Sequence, residues 1–205
     1  MAQEKRMIGD YEVLVSIRIG EYEILICECS KPSIKDRFVC GFYEDDGIMM
    51  QLKGCVFSDN YADTAKLFGE RVKEKAEETQ MKIQEELEIV GKDETLTADD
   101  CMPIRDSDLL IARVVVIDPE VLRPEYRRSS HQLQYCIGGF GAQPNARGTS
   151  CFCKRLIDGR DAKYCRTDII GVVPEEDLPE WARVRLEEIR ENVEKSKDAD
   201  ERGGR

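Results

Sequence analysis

The stretch YEVLVSIRIGEYEILICEC, Tyr11 to Cys29, decides the fold of the N-terminal half. Every second residue from Tyr11 to Ile19 is apolar, which is the side-chain period of a β-strand. Gly20-Glu21 follows as a two-residue connection with glycine first, and a second apolar run starts at Tyr22. This pattern predicts an antiparallel β-hairpin closed by a type II′ turn.

Outward from this hairpin, further strand signals appear in both halves of the chain. Two apolar segments flank Asp45-Asp46-Gly47 and predict a second hairpin. A polar linker from Lys92 to Asp100 precedes a second set of strand signals, and Asp158-Gly159 marks a turn between the last two of that set. Outside the first hairpin, the predicted strands cover residues 37–43, 48–57, 109–117, 132–138, 150–157 and 166–173.

Between the two sets of strands, the apolar period changes to that of a helix. The stripe predicts one long helix from Asp59 to Val90, with Ser58 or Asp59 as its N-cap and Gly91 at its C-terminal cap. A second helix is predicted from the DLPE sequence at 177–180 onward. The stripe of the long helix consists of Tyr61, Ala65, Phe68, Val72, Ala76, Thr79, Ile83, Leu87 and Val90.

The order strands, helix, linker, strands, helix favours an α+β fold. We expect mainly antiparallel sheets packed against one long central helix and a C-terminal helix. The expected domains are N-terminal β-hairpins plus the long helix in 1–95, C-terminal antiparallel strands plus a helix in 104–196, and a flexible tail in 197–205.

The cysteines and the first residues of the chain bear on its compartment. The 205-residue sequence begins with charged residues and has no apolar segment typical of a signal peptide or a membrane span. Nine cysteines, an odd number without an export signal, favour free thiols in a reducing compartment. We therefore expect a cytoplasmic protein that has no membrane partner.

Charge is unevenly distributed along this acidic chain, whose net charge is −11. From Leu122 to Thr167 there are nine basic and three acidic residues, a local net charge of +6, so the remainder carries −17. Such a basic segment attracts an anionic group or an acidic protein surface unless the chain's own carboxylates neutralise it. The basic residues are Arg123, Arg127, Arg128, Arg147, Lys154, Arg155, Arg160, Lys163 and Arg166.

The segment HQLQYCIGGFGAQPNARG, His131 to Gly148, contains the candidate binding residues. Its glycines allow backbone N–H groups to converge, and Arg147 can grip a phosphate or carboxylate with two hydrogen bonds. A strand follows the loop where a dinucleotide or P-loop motif has a helix, so a long hairpin connection accounts for the glycines equally well. The candidate binding residues are Arg127, Arg128, His131, Gly139, Gly141, Asn145, Arg147 and Arg155.

Two catalytic or metal-binding interpretations use the same region. Cys151 and Cys153 share one face of a strand and, with Cys136, Cys165 and His131, would form a zinc site, although packing of small hydrophobic thiols explains them too. The lone histidine lacks a nucleophile in a recognisable context, and no pair of carboxylates is singled out. We assign no catalytic residue, no metal ligand and no cofactor.

Two stretches carry a resemblance. VFSDNYADTAKLFGERV, Val56 to Val72, and HQLQYCIGGFGAQPNARGTSCFC with DIIGVVPEEDLPEWARVRLEEI, within His131 to Ile189, resemble a family of uncharacterised proteins from gut Gram-positive bacteria and their conjugative elements and phages. The resemblance implies a mobile-element context, in which small accessory proteins bind and block host defence machinery.

The function that we expect is that of a non-enzymatic accessory protein that binds another macromolecule; the resemblance implies that it belongs to a mobile element and inhibits a host defence system. We expect the partner to be a protein or ribonucleoprotein, with a homodimer through the long helix as a further form of association. Two alternatives stay open: nucleic-acid or nucleotide binding through the basic Gly/Arg loop, and zinc binding. Steep weakening of binding with salt distinguishes the nucleic-acid alternative.

Overall fold

The computed structural model of the protein describes residues 5–31, 35–45 and 50–203. The chain divides into two compact units, Met1–Gln84 and Glu85–Arg205, and each is described by itself. The predicted α+β class is confirmed by two antiparallel five-stranded sheets, one long helix and a C-terminal helix. The domain bounds expected from the sequence stay a prediction. The turn predicted at Asp45-Asp46-Gly47 lies, for its last two positions, outside the described residues.

The sheet of the first unit follows chain order. Its strands are β1 (Met7–Ile8), β2 (Tyr11–Ile19), β3 (Tyr22–Glu28), β4 (Phe38–Asp45) and β5 (Met50–Ser58). The predicted first hairpin is confirmed, because Ile19 pairs with Tyr22 and Gly20 has a φ of +55°. Glycine adopts this left-handed conformation without the steric cost that other residues pay.

One face of this sheet buries a core of its own. Leu25, Cys27 and Val39 lie at its centre and are almost fully buried. Although two strands separate β2 from β5, the rings of Tyr11 and Phe57 approach to 6.2 Å between centroids. A flat sheet would hold these strands about 14 Å apart, at about 4.8 Å per strand. The sheet therefore curls, and its first and last long strands help to cover the core.

The long helix α1 (Tyr61–Val90) begins one or two residues later than the sequence predicts. Asn60 is the N-cap, because its Oδ1 accepts a hydrogen bond of 2.9 Å from the Ala62 N–H, so the assignment to Ser58 or Asp59 was wrong. The predicted cap at Gly91 is confirmed by its φ of +74° and its N–H bond of 2.8 Å to Leu87.

Within the first unit, Arg71 joins α1 to the sheet. Its guanidinium donates hydrogen bonds of 2.9 Å to the Cys40 carbonyl and 2.6 Å to the Gly54 carbonyl, and it lies 5.0 Å from the centre of the Phe42 ring. The side chain thus bonds two carbonyls at the register shift between β4 and β5, and it packs on an aromatic face at the same time.

The sheet of the second unit has the order β10-β6-β7-β8-β9, with antiparallel neighbours throughout. Its strands are β6 (Val114–Ile117), β7 (Leu133–Gly138), β8 (Ser150–Arg155), β9 (Asp161–Cys165) and β10 (Ile169–Val173). A four-residue helix, α2 (Ser129–Gln132), precedes β7, and the C-terminal helix α3 (Glu180–Gly203) ends the described chain.

Two strand predictions in this unit need correction. β9 was missed, because its sequence DAKYC places charged residues outward and only Ala162 and Tyr164 inward, which is a weak apolar signal. The strand predicted from residue 109 begins only at Val114, because residues 111–112 form a turn in which Ala112 has a left-handed φ of 64°. The apolar residues of this segment do not indicate a strand: Leu110 lies outside any strand and is fully buried.

Both faces of the second sheet are covered by apolar side chains. On one face, α3 packs Ala182, Leu186 and Ile189 against residues of β6 and β7. The other face is built around Leu110 and buried cysteines of β7 and β8. None of the helices in the described ranges combines the length and the apolar character that crossing a membrane requires.

Replacing Gly171 with alanine should destabilise the second unit. A Cβ at this β10 position would lie 2.7 Å from the Met102 carbonyl oxygen and against the Cys101 sulfur, so the strand or its neighbour must move. We expect G171A to lower the free energy of unfolding by about 1–3 kcal/mol. Denaturant unfolding followed by the fluorescence of Trp181, the only tryptophan, measures this change.

Gly69 provides the matched control. It lies in α1, and no atom comes within 4 Å of the position that a Cβ would take. G69A should therefore stabilise the helix by about 0.5–1 kcal/mol, measured by circular dichroism, and leave the Trp181 transition where it is. A G171A protein as stable as the parent would contradict the packing described for β10.

Candidate functional site

The loop between β7 and β8, residues 139–149, is here named the Gly/Arg loop. Gly139 has a φ of +103°, and a Cβ on it would collide with the Ser150 carbonyl and lie 3.1 Å from the Phe152 nitrogen. A Cβ on Gly141 would collide in the same way with the Thr149 carbonyl. These glycines therefore let the loop lie directly against the backbone of β8.

Three N–H groups of this loop have acceptors within the protein. Ala142 donates to the Gly139 carbonyl at 3.2 Å, and Gln143 donates to the Phe140 carbonyl at 3.4 Å. Asn145, whose φ is 50°, donates to the Asp106 carbonyl at 2.7 Å. Because an anion nest needs N–H groups that converge on open space, the geometry favours a packed loop over a phosphate cradle.

The side chain of Arg166 holds the loop in place. Its Nη1 donates to the Gly141 carbonyl at 2.7 Å, and its Nη2 donates to the carbonyls of Arg105 at 2.7 Å and Asp108 at 2.9 Å. A guanidinium has five N–H donors in a rigid plane, so it can satisfy several carbonyls at once. Arg166 thus ties the Gly/Arg loop to the segment before β6.

This fixed loop exposes an aromatic ring and a positive charge. Phe140 is 81% exposed, more than any other large hydrophobic residue in the described ranges. Arg147 is also exposed, and none of the described residues forms an ion pair or a hydrogen bond with its guanidinium. A Cβ built on Gly148 would lie 2.7 Å from the Phe140 Cβ, so Phe140 and Arg147 leave the loop from adjacent backbone positions.

His131 belongs to a second group, here named the α2 polar cluster and defined by Glu86, Asp93, Arg128, Ser130 and His131. The imidazole is almost fully buried, stacks on Tyr126 with 4.3 Å between ring centroids, and places Nε2 2.9 Å from Glu86 Oε2. Ser130 donates its hydroxyl to Asp93 at 2.6 Å and is not bonded to the imidazole. The cluster therefore lacks the serine–histidine contact that nucleophilic catalysis requires.

Asp93 is the centre of the α2 polar cluster. Its carboxylate accepts hydrogen bonds from the Ser129 hydroxyl at 2.8 Å and from the Ser130 N–H at 2.7 Å, in addition to the Ser130 hydroxyl. Arg128 lies beside it, with Nε 3.8 Å from Asp93 and Nη2 4.0 Å from Glu86. Asp93 thereby pins the predicted linker to the start of α2.

Gln132 strengthens the same attachment. Its side-chain nitrogen donates to the Leu96 carbonyl at 2.9 Å and to the Ile117 carbonyl at 3.0 Å, while its oxygen accepts from the Leu96 N–H at 2.7 Å. The side chain is fully buried, and a buried amide is stabilising only when its groups are paired in this manner. Residues 92–100 are therefore fixed to the second unit.

Most of the basic segment is engaged by the protein itself. Arg155 and Arg160 both pair with Asp158, and Lys154 pairs with Asp161 at 2.8 Å. Partial burial alone would raise the pKa of Asp158, but the hydrogen bond and charge of Arg155 hold that pKa below its usual value. The structure thus distributes the candidate residues among the Gly/Arg loop (Gly139, Gly141, Asn145, Arg147), the α2 region (Arg127, Arg128, His131) and the β8–β9 turn (Arg155).

Three of the four cysteines of the zinc alternative are core residues, and the fourth, Cys165, is exposed. Cys136, Cys151 and Cys153 are fully buried, and burial raises the pKa of Cys151 to about 11. The pKa of Cys153 is raised as well, first by its hydrogen bond with Cys136 and then by burial. Among residues 5–31, 35–45 and 50–203, no three His, Cys, Asp or Glu side chains are grouped so as to hold a metal ion. The pKa of Cys136 is instead lowered, chiefly by its hydrogen bond with Cys153. Because the thiolate is the form that binds a metal, the raised pKa values disfavour metal binding by Cys151 and Cys153.

The sequence analysis did not identify the residues that organise the Gly/Arg loop and the α2 polar cluster. Phe140 stands between two glycines in Gly139-Phe140-Gly141, a context in which an aromatic ring has little to pack against, and that was the available signal. The sequence marked Arg166 only as one of nine basic residues and did not mark Asp93, because the groups that each residue bonds are distant in the chain. Comparison of the chain with protein-family models, with curated proteins and with solved structures gave no match.

Replacing Arg166 with lysine should loosen the Gly/Arg loop. Lysine keeps the charge but cannot reach several carbonyls with a planar fork, so the hydrogen bonds to Gly141, Arg105 and Asp108 cannot all form. We expect faster hydrogen exchange at the Asn145 and Ala142 amides, by about tenfold or more if about 1.4 kcal/mol of local stability is lost. The control is R160K, which alters an exposed arginine; equal exchange in R166K and R160K would contradict the clamp.

Replacing Asp93 with asparagine should destabilise the second unit. The amide introduces a donor where three donors converge, and it leaves Arg128 facing one carboxylate fewer. We expect a loss of about 3 kcal/mol, measured by denaturant unfolding followed through Trp181. D118N is the matched control: Asp118 caps a 3-10 helix by accepting from Glu120 at 2.9 Å, and asparagine caps equally well. Similar stabilities of D93N and D118N would argue against the cluster.

Proposed function

We propose that this protein is a non-enzymatic binding protein that contacts a protein partner through Phe140 and Arg147 of the Gly/Arg loop. The observation that carries the proposal is the 81% exposure of Phe140 on a loop that Arg166 holds rigid. A phenylalanine ring gains about 1.5–3 kcal/mol when it leaves water, so an exposed ring on a fixed loop is a ready anchor for a partner's apolar pocket.

Rigidity matters to this proposal because ordering a loop on binding costs free energy. The Gly/Arg loop is ordered in the free chain by the Arg166 clamp and by the hydrogen bond from Asn145 to Asp106. A partner therefore gains the contact without that cost. Aromatic residues and arginine are also the residues that most often dominate binding energy at protein interfaces.

The chemistry of the loop indicates the partner surface. Arg147 has no carboxylate of the described chain beside it, so a partner that supplies one next to an apolar pocket would complement both exposed groups. Phosphate backbones are bound by many free cations, whereas Arg128, Lys154, Arg155 and Arg160 already face carboxylates. This favours a protein partner over the nucleic-acid alternative.

We further propose that the setting is a mobile element and that the partner belongs to host defence machinery. Support comes from the resemblance noted above, whose second motif contains the whole Gly/Arg loop. We place the protein in the cytoplasm, in keeping with nine cysteines that are all free thiols. The non-enzymatic character is supported by the α2 polar cluster, in which serine and histidine side chains are bound to separate carboxylates.

Alanine at Phe140 should remove the anchor and leave the fold intact. In affinity capture from a native host lysate with quantitative mass spectrometry, a protein retained by the parent chain should fall by about tenfold or more with F140A. V121A is the matched control, because Val121 is 50% exposed in the same unit but lies outside the loop. Equal retention by F140A and the parent would contradict the proposal.

The charge of Arg147 gives a second readout in the same experiment. R147E should reduce retention more than R147A, because a glutamate would repel the expected carboxylate of the partner as well as lose the attraction. If the chain instead binds single-stranded DNA or RNA at low salt, with affinity that falls steeply as salt rises and disappears in R147A, the partner is a nucleic acid and the protein-binding proposal is wrong.

A further inference from the structure

The two edges of the second sheet differ. On the outer side of β10, Met102 forms an isolated antiparallel bridge with Val172, with hydrogen bonds of 2.9 Å in both directions. At the opposite edge, β9 pairs only with β8, and no described residue bonds to the outer backbone groups of Asp161 and Lys163. An edge strand with open N–H and C=O groups is a template for another strand.

The ladder between β8 and β9 shows which groups face outward. Hydrogen bonds link Arg155 N–H to the Arg160 carbonyl at 2.9 Å and Arg166 N–H to the Thr149 carbonyl at 2.7 Å, so the bonded pairs follow that register. Because bonded and non-bonded pairs alternate in an antiparallel ladder, the N–H and C=O groups of Asp161 and Lys163 point away from β8. They are two residues apart, as strand pairing requires.

The side chains at these two positions have opposite charge and are solvated. The Asp161 side chain is 78% exposed and Lys163 is exposed. Both stand on the sheet face that carries Phe152, which is 47% exposed, above an open groove of about 430 Å³. The edge thus has the pattern Asp-Ala-Lys, with charges of opposite sign on either side of Ala162.

We propose that β9 pairs antiparallel with β9 of a second copy of this chain, about a two-fold axis at Ala162. In this register Asp161 of each copy forms a hydrogen-bonded pair with Lys163 of the other, which gives four backbone hydrogen bonds. The two sheets then join into one. This register follows from the outward-facing backbone N–H and C=O groups, because only Asp161 and Lys163 can form hydrogen-bonded pairs with the other copy.

Charge complementarity selects a second copy as the occupant. In the antiparallel register, Asp161 lies between Lys154 of its own chain, at 2.8 Å, and Lys163 of the other copy, so charges alternate across the joint. Opposite charges directly across a strand pair stabilise it, and like charges destabilise it. A single-sign edge would repel its own copy, whereas the Asp-Ala-Lys sequence is complementary to itself.

A joint of this size predicts weak association. It uses one short strand from each copy and buries less surface than stable dimers do, so the dimer should form with rising protein concentration. The Gly/Arg loop is not part of the joint, and F140A should therefore dimerise as the parent does. This separates failure of the dimer from failure of the proposed function.

Charge reversal tests the register directly. K163D places Asp161 opposite aspartate at two symmetric points, and D161K places lysine opposite Lys163, so each should weaken dimerisation by about tenfold or more. The double variant D161K/K163D restores opposite charges and should recover the parent's affinity. K92D, the same charge change at an exposed lysine elsewhere, is the control. Sedimentation equilibrium over a wide concentration range measures all five proteins.

A cross-link locates the axis. In this register Ala162 faces Ala162 of the other copy as a non-bonded pair, with Cα atoms about 4.5 Å apart, a separation that a disulfide can span. The variant A162C is made in a C165S background, because Cys165 is exposed. It should give a covalent dimer when a copper–phenanthroline oxidant is added. Adding K163D should abolish the cross-link, and adding D161K/K163D should restore it.

The results that overturn the proposal are equally definite. A chain that stays monomeric at every concentration, or a dimer whose affinity is unchanged by K163D and D161K, excludes this joint. A cross-link in the C165S chain without the Ala162 replacement would mean that another cysteine pair reports the contact. Strand exchange with a foreign peptide in place of the second copy, seen as A162C cross-linked to that peptide only, would also reject it.

Discussion

The hydrogen bonds of Arg166 go to backbone carbonyls, and the arrangement of the Gly/Arg loop depends on these bonds. Its guanidinium meets the carbonyls of Gly141, Arg105 and Asp108 at 2.7–2.9 Å. Arg105 and Asp108 lie outside strands and helices, and the Arg105 carbonyl also accepts a hydrogen bond of 3.0 Å from the Asp108 N–H. Without the Arg166 side chain, the Gly/Arg loop would lose its side-chain bonds to the segment before β6. The exposed position of Phe140 is therefore a consequence of how Arg166 is used.

A count of charges along the sequence does not reveal which basic residues are paired with carboxylates, because the turn between two residues decides whether their side chains meet. The tight β8–β9 turn brings Asp158 to Arg155 and Arg160, and the ladder places Lys154 opposite Asp161. Asp158 and Asp161 are already counted in the local net charge of +6, and among the described residues only Arg128 meets carboxylates from outside the segment, Glu86 and Asp93. Arg147 stays open because its loop contains no acidic residue. The field of the segment follows from topology more than from composition.

The fold was predictable where periodicity is strong, and the site was predictable only in part. Alternation predicted the first hairpin and a nine-residue stripe predicted α1. The patterns did not predict burial at every position, because Val15 and Ile17 of β2 and Tyr61 of α1 are exposed. β9 was not predicted, because an edge strand buries few side chains and its alternation of apolar and polar residues is therefore weak. Among candidate residues, Gly139, Gly141, Asn145 and Arg147 do share one loop. That Arg128 and His131 lie in a buried cluster depends on Glu86 and Asp93, and sequence spacing does not encode such distant contacts.

The α2 polar cluster decides how far an enzymatic interpretation can go. A histidine beside two serines has the residue types of a hydrolase active site. In this cluster, however, each of these side chains is bonded to a carboxylate of the protein. His131 is held between Tyr126 and Glu86, and Ser130 is held by Asp93. A general base must reach the proton it removes, and Ser130 and His131 are both buried and already bonded to carboxylates. The serine and histidine side chains of this cluster are therefore held by contacts within the second unit.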